Sequence, residues 1–122
     1  MLTSLLIVAS VGFGVITFQK SAKPLRLDSA LNAILPPESN VEKVAGGFIF
    51  TEGPVWIKDE GYLLFSDIPA NVIYKCKPGG EAEVFRKHGG YDGATIPDGA
   101  FWGSNGLTLD NQGRLTICEH GN

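Results

Sequence analysis

The sequence predicts an all-β chain that forms part of a β-propeller, on three observations. Two stretches read as copies of one unit: Glu52-Gly53-Pro54-Val55-Trp56, a polar gap and Gly61-Tyr62-Leu63-Leu64-Phe65-Ser66-Asp67 are echoed by Asn105-Gly106-Leu107-Thr108-Leu109, a polar gap and Gly113-Arg114-Leu115-Thr116-Ile117-Cys118-Glu119. The copies lie about fifty residues apart, and short strands repeating at roughly 40 to 50 residues are the pattern of a propeller blade. Sixteen glycines and seven prolines supply the tight turns such a chain needs. A ring takes at least about four blades to close, so these 122 residues read as the N-terminal piece of a longer protein.

Leu5 to Phe18 is an almost unbroken apolar run, followed by Lys20, Lys23 and Arg26. Fourteen residues fall short of the roughly 17 to 25 of a membrane span and fit the apolar region of an export signal. No Lys or Arg precedes the run and no Ala-x-Ala site follows it, so residues 1–22 are expected to be a signal peptide or an uncleaved membrane anchor. A misassigned start or a buried segment is the alternative. The expected location is periplasmic or secreted.

Residues 23–46 read as a leader. Asp28 can cap a short helix with Leu31, Ile34 and Leu35 on one face, ended by Pro36-Pro37. Val41 to Val44 reads as an isolated strand able to close a ring by pairing with a later blade.

Residues 47–122 carry the first part of the propeller. The first blade is expected as strands at Glu52–Ile57, Tyr62–Ser66, Val72–Lys77 and Glu81–Arg86, with Gly61 left-handed in the first hairpin loop and Pro78-Gly79-Gly80 turning the third strand into the fourth. Lys87 to Gly103 has no periodicity. A structureless connection of this length is uncommon unless it is functional or disordered, and it is expected to cover a pocket, with a passive surface loop as the alternative. The second blade starts at Asn105 and turns at Asp110-Asn111-Gln112-Gly113.

The formal net charge of −3 offers no surface for nucleic acid. Cys76 and Cys118 are too few for a disulfide framework and read as small buried residues. No Gly-x-Ser-x-Gly elbow, phosphate loop, Cys-x-x-Cys pair or His-Glu-x-x-His helix is present, which leaves a serine-hydrolase mechanism without support.

The chemistry gathers where each copy opens. The same position in successive blades is carried around one axis, so Glu52 and Asn105 would converge, and carboxylate and amide oxygens together suit a hard cation. An exposed carboxylate at a strand start is the plainer reading of Glu52. In a hairpin the second strand returns to the end where the first began, which puts Asp67, Glu119 and His120 at that end too. Asp67 reads as a cap on the turn before Ile68-Pro69 or as pocket wall. His120, with Glu119, is a candidate for proton transfer, whereas His88 is expected to be solvated. Phe48, Phe50, Trp56 and Phe65 read as packing between blades. Phe101-Trp102 would line a substrate pocket or fill the seam between blades.

These segments closely resemble the senescence-marker-protein/gluconolactonase/luciferin-regenerating-enzyme family, and its bacterial gluconolactonase branch most of all. The resemblance is carried by Phe50 to Trp56, Leu64 to Asn71, and Ser104 to Asp110 through Gly113-Arg114-Leu115 to Cys118-Glu119-His120-Gly121-Asn122, and extends from about Leu27 onward. It implies a six-bladed β-propeller, of which about one and a half to two blades are present here. It also implies a divalent cation in the channel, often calcium, with zinc and magnesium as alternatives, and hydrolysis of sugar lactones or related esters. Glu52 matches the family's first metal-binding glutamate. Asn105 matches the asparagine that faces substrate or ion. Gly103 stands where some animal members place an arginine that contacts substrate. The partner is then a small sugar lactone, with the membrane involved only through an uncleaved N-terminal segment. A non-catalytic propeller that binds a metal or ligand is the rival reading.

Overall fold

The computed structural model describes residues 22–95 and 97–121, so the apolar leader lies outside the described residues. Among those described, no helix is long and apolar enough to cross a membrane. The chain divides into two units, residues 1–42 and 43–122.

In the first unit the expected helix is a single 3-10 stretch, Ser29–Ala33, where Asp28 accepts a hydrogen bond from the Ala30 N–H at 2.7 Å. Arg26 closes its other end by donating to the Asn32 side chain at 2.7 Å and to the carbonyls of Leu35 and Pro36. Val41 makes an isolated bridge with Ala22, and no strand runs over Val41–Val44.

The second unit is all-β. Strands β1 (Thr51–Ile57), β2 (Tyr62–Asp67), β3 (Val72–Cys76) and β4 (Ala82–Lys87) form one antiparallel sheet in sequence order, and β5 (Ser104–Leu109) pairs with β6 (Leu115–Glu119) in a second. Each boundary lies within a residue or so of its expectation, because the turns are local. Gly61 and Gly113 both take positive φ, at 68° and 75°.

The repeat is equally visible in register. Thr51 pairs with Asp67 as Ser104 pairs with Glu119, Val55 with Leu64 as Thr108 with Thr116, and Trp56 with Leu63 as Leu109 with Leu115. Each first strand also carries one extra residue, between Glu52 and Val55 in β1 and between Ser104 and Leu107 in β5. Such a bulge bends the strand and re-aims the side chains beside it.

Tyr62, Leu64, Ile73 and Leu107 fill the seam between the sheets, flanked by Val55, Ile57, Leu115 and Ile117. Burial of each of the four contributes on the order of 1.5–3 kcal/mol. Of the aromatics expected to pack between blades, none belongs to the cluster that fills this seam. Phe48 packs edge-on against Phe65 and beside Tyr74, both at 4.9 Å, while Phe50 and Trp56 are half exposed. The reason is the period-2 alternation of β2: Leu64 faces β5, so Leu63 and Phe65 face away. On that far side lies an apolar cavity of about 260 Å3 whose lining includes Phe48, Leu63, Phe65 and Cys76. Both cysteines are free, and Cys118 is exposed rather than buried, since among the described residues no strand covers β6.

Candidate functional site

The start of β1, the end of β2, the start of β5 and the end of β6 share one end of the two sheets, as the pairs Thr51–Asp67 and Ser104–Glu119 require. Glu52 and Asn105 open the two first strands there, both half buried. The strands abut through their bulges. Gly53 has φ 57°, a left-handed conformation that glycine adopts without strain, and a Cβ at this position would fall on the Asn105 carbonyl oxygen. The residue after Glu52 therefore lies backbone to backbone against Asn105. Glu52 also borders the apolar cavity on its other side.

Two buried serines sit beneath this junction. Ser66 Oγ is 2.8 Å from Ser104 Oγ and 3.0 Å from the Asn105 carbonyl oxygen. Asp67 is buried as well. It accepts from the N–H groups of Ile49 at 3.0 Å and Phe50 at 3.2 Å, so its carboxylate fastens the segment entering β1 rather than capping the turn at Ile68-Pro69.

The connection after β4 is pinned at several points. Asn71, buried and left-handed at φ 54°, accepts from Gly90 N–H at 2.9 Å and donates to the Tyr91 carbonyl at 2.7 Å. Tyr91 in turn meets Trp102 edge-on at 4.9 Å. Trp102 thus anchors the loop, while its neighbour Phe101 stands half exposed against Phe50 at 5.8 Å. Gly103 is buried on Ile68, whose carbonyl oxygen occupies the place of a Cβ. An arginine is not accommodated there.

His120 is exposed, with Nδ1 3.2 Å from the Phe101 carbonyl oxygen. A carbonyl only accepts, so Nδ1 carries the proton and Nε2 is left as the basic nitrogen. Glu119 forms an ion pair with Arg86 at 3.6 Å. His88 is exposed, as expected, on the outer edge after β4.

Among the described residues no three His, Cys, Asp or Glu side chains gather as a metal site. Among the described residues, the donors that the repeat brings to this junction are the Glu52 carboxylate and the Asn105 amide, carried on backbones that meet at Gly53. Both are hard oxygen donors and fit a hard ion in kind, while calcium takes six to eight oxygens. Ser66, Ser104 and Asn71 had not stood out in the sequence. Asn71 alone carried a local signal, since asparagine in a Pro-containing connection tolerates the left-handed region.

A repeated antiparallel unit with oxygen-bearing side chains at the junction of its first strands defines an all-β protein of repeat type. A family model described as SMP-30/Gluconolactonase/LRE-like region matches residues 50–122, and the gluconolactonase of Zymomonas mobilis subsp. mobilis is 36% identical over 101 residues. The chain belongs to the SMP-30/gluconolactonase/LRE-like family, in its gluconolactonase branch. The match covers 81% of this chain and 28% of the relative, so the chain spans under a third of that protein's length. No solved structure matches it.

Proposed function

We propose that residues 47–122 form the N-terminal part of a six-bladed propeller that hydrolyses a sugar lactone with the help of a divalent cation, calcium being the leading choice. In this reading residues 23–46 are a leader and residues 1–22 an export signal or anchor, which makes the protein periplasmic or secreted. The observation that supports the proposal is the abutment of Gly53 on Asn105, which brings into contact the backbones that carry two oxygen-bearing residues of equivalent repeat position. The curated relative, whose printed name is gluconolactonase, supports the substrate class.

A bound divalent cation supplies Lewis-acid polarisation of the lactone carbonyl and a more acidic water. Glu52 contributes the negative charge that holds it. Asn105 orients the ester through its amide. His120, with Nδ1–H engaged by Phe101, takes a proton at Nε2 as water adds to the carbonyl, and returns it to the leaving alkoxide. Glu119, ion-paired with Arg86 at the same end of the sheets, is the other candidate for moving the proton. Phe50 and Phe101 offer an apolar wall to the face of a sugar ring.

The test is gluconolactone hydrolysis and calcium calorimetry on the complete protein. Glu52→Gln keeps the shape and removes the charge, so both calcium affinity and turnover are expected to fall. Calcium binding equal to wild type in that variant overturns the assignment. Calcium binding without lactone hydrolysis in the wild type favours the non-catalytic propeller instead.

A further inference from the structure

We infer that the buried Ser66–Ser104 hydroxyl pair is a positioning device that sets the separation of Glu52 and Asn105. Ser66 is the cross-strand partner of Glu52, and Ser104 directly precedes Asn105. The two serines are 0% and 1% exposed. Each hydroxyl has a single proton, and the Asn105 carbonyl can only accept. The proton count therefore orients the chain: Ser104 O–H donates to Ser66 Oγ, and Ser66 O–H donates to the Asn105 carbonyl. That carbonyl is held from a second direction by the backbone of Gly53, which leaves no room for a Cβ.

Plain packing explains this poorly, because an alanine seam would fill a similar space without burying two hydroxyls. A buried hydroxyl is costly unless bonded, whereas a bonded one has a preferred distance and direction. The hydroxyls are buried where the two hairpins meet, beneath the two candidate ligands. Hydrogen-bonded partners of ligand-bearing segments tune affinity by holding geometry. Ser66 and Ser104 touch neither ion nor substrate in this scheme, which rests on the reading of Glu52 and Asn105 given above.

Calcium chloride titrated into the complete protein by calorimetry, beside thermal unfolding in EDTA, separates position from stability. Ser66→Ala loses both bonds and is expected to weaken calcium binding roughly 10-fold, in the range seen for outer partners of metal ligands. Ser104→Ala keeps the bond to Asn105 and should weaken it less. It also carries the test if Ser66→Ala does not fold. Serine variants that melt earlier in EDTA yet bind calcium as wild type, while Glu52→Gln loses binding, overturn the inference and leave the pair as structural. If Glu52→Gln still binds calcium, the ion assignment fails on its own account. Crystal structures of the serine variants then decide: a changed Glu52–Asn105 backbone separation supports the inference, and an unchanged one overturns it.

Discussion

Asn71 offers the most demanding test of how the loop from residue 88 to 103 is held. Asn71→Ala removes the acceptor for Gly90 N–H and the donor for the Tyr91 carbonyl. Gly90 is buried, so its stranded N–H costs about 1–3 kcal/mol; the Tyr91 carbonyl, half buried, falls near the lower end of that range. The left-handed backbone, φ 54°, adds roughly 1–2 kcal/mol for alanine, a strain asparagine partly offsets by local hydrogen bonding. The sum is a loss of about 2–5 kcal/mol. Asn71→Gly loses the same two bonds but not the strain, so it should be the milder substitution by about 1 kcal/mol, reversing the usual advantage of alanine over glycine. Urea unfolding of both variants measures the difference, and hydrogen exchange at Gly89 to Tyr91 locates it. A protein in which alanine equals or exceeds glycine, or in which both lie within about 0.5 kcal/mol of wild type, refutes the account.

Three further outcomes are expected. The backbone N–H and side chain of Arg114, with the Gln112 N–H, hold the Asp110 carboxyl below the ordinary carboxylate range. A depressed folded pKa stabilises above the unfolded value near 4, so protection of the β5–β6 turn amides should be complete above that pH, fade as pH falls through the folded value, and lose this dependence in Asp110→Asn. Gly103→Ala drives a methyl into the Ile68 carbonyl and should lower the melting temperature by several degrees; an unchanged melt contradicts the close approach. In gluconolactone kinetics, Phe101→Ala and Trp102→Ala should mainly raise KM and Glu52→Gln mainly lower kcat, whereas a Trp102→Ala enzyme equal to wild type leaves the loop a mere connection.

The parts of the fold legible in the sequence are those decided within a few residues. Strand alternation and the loops ending at Gly61 and Gly113 are local signals, and both hairpins formed where they were expected. The rest depends on partners far along the chain. Asp67 serves N–H groups 17 and 18 residues upstream, Asn71 serves groups 19 and 20 residues downstream, and Ser66 meets Ser104 across 38 residues. No periodicity announces such pairs. Which side of the sheet the aromatic side chains take was hidden for a similar reason, since alternation tells which residues share a face of β2 but not which face meets β5. For the candidate site, the repeat alone brought out Glu52 and Asn105 together, whereas the serines beneath them became visible only with the seam.

The matched bulges have an evolutionary consequence. The bend in each first strand follows from its register, with left-handed Gly53 beside Glu52 and buried hydroxyls beneath Asn105; none of these involves the side chain at position 52 or 105 itself. That position is a socket whose frame is inherited while its occupant is free to vary, as glutamate and asparagine already do between the two copies. A lineage built on such sockets can change what it binds by point substitution, without renegotiating the scaffold.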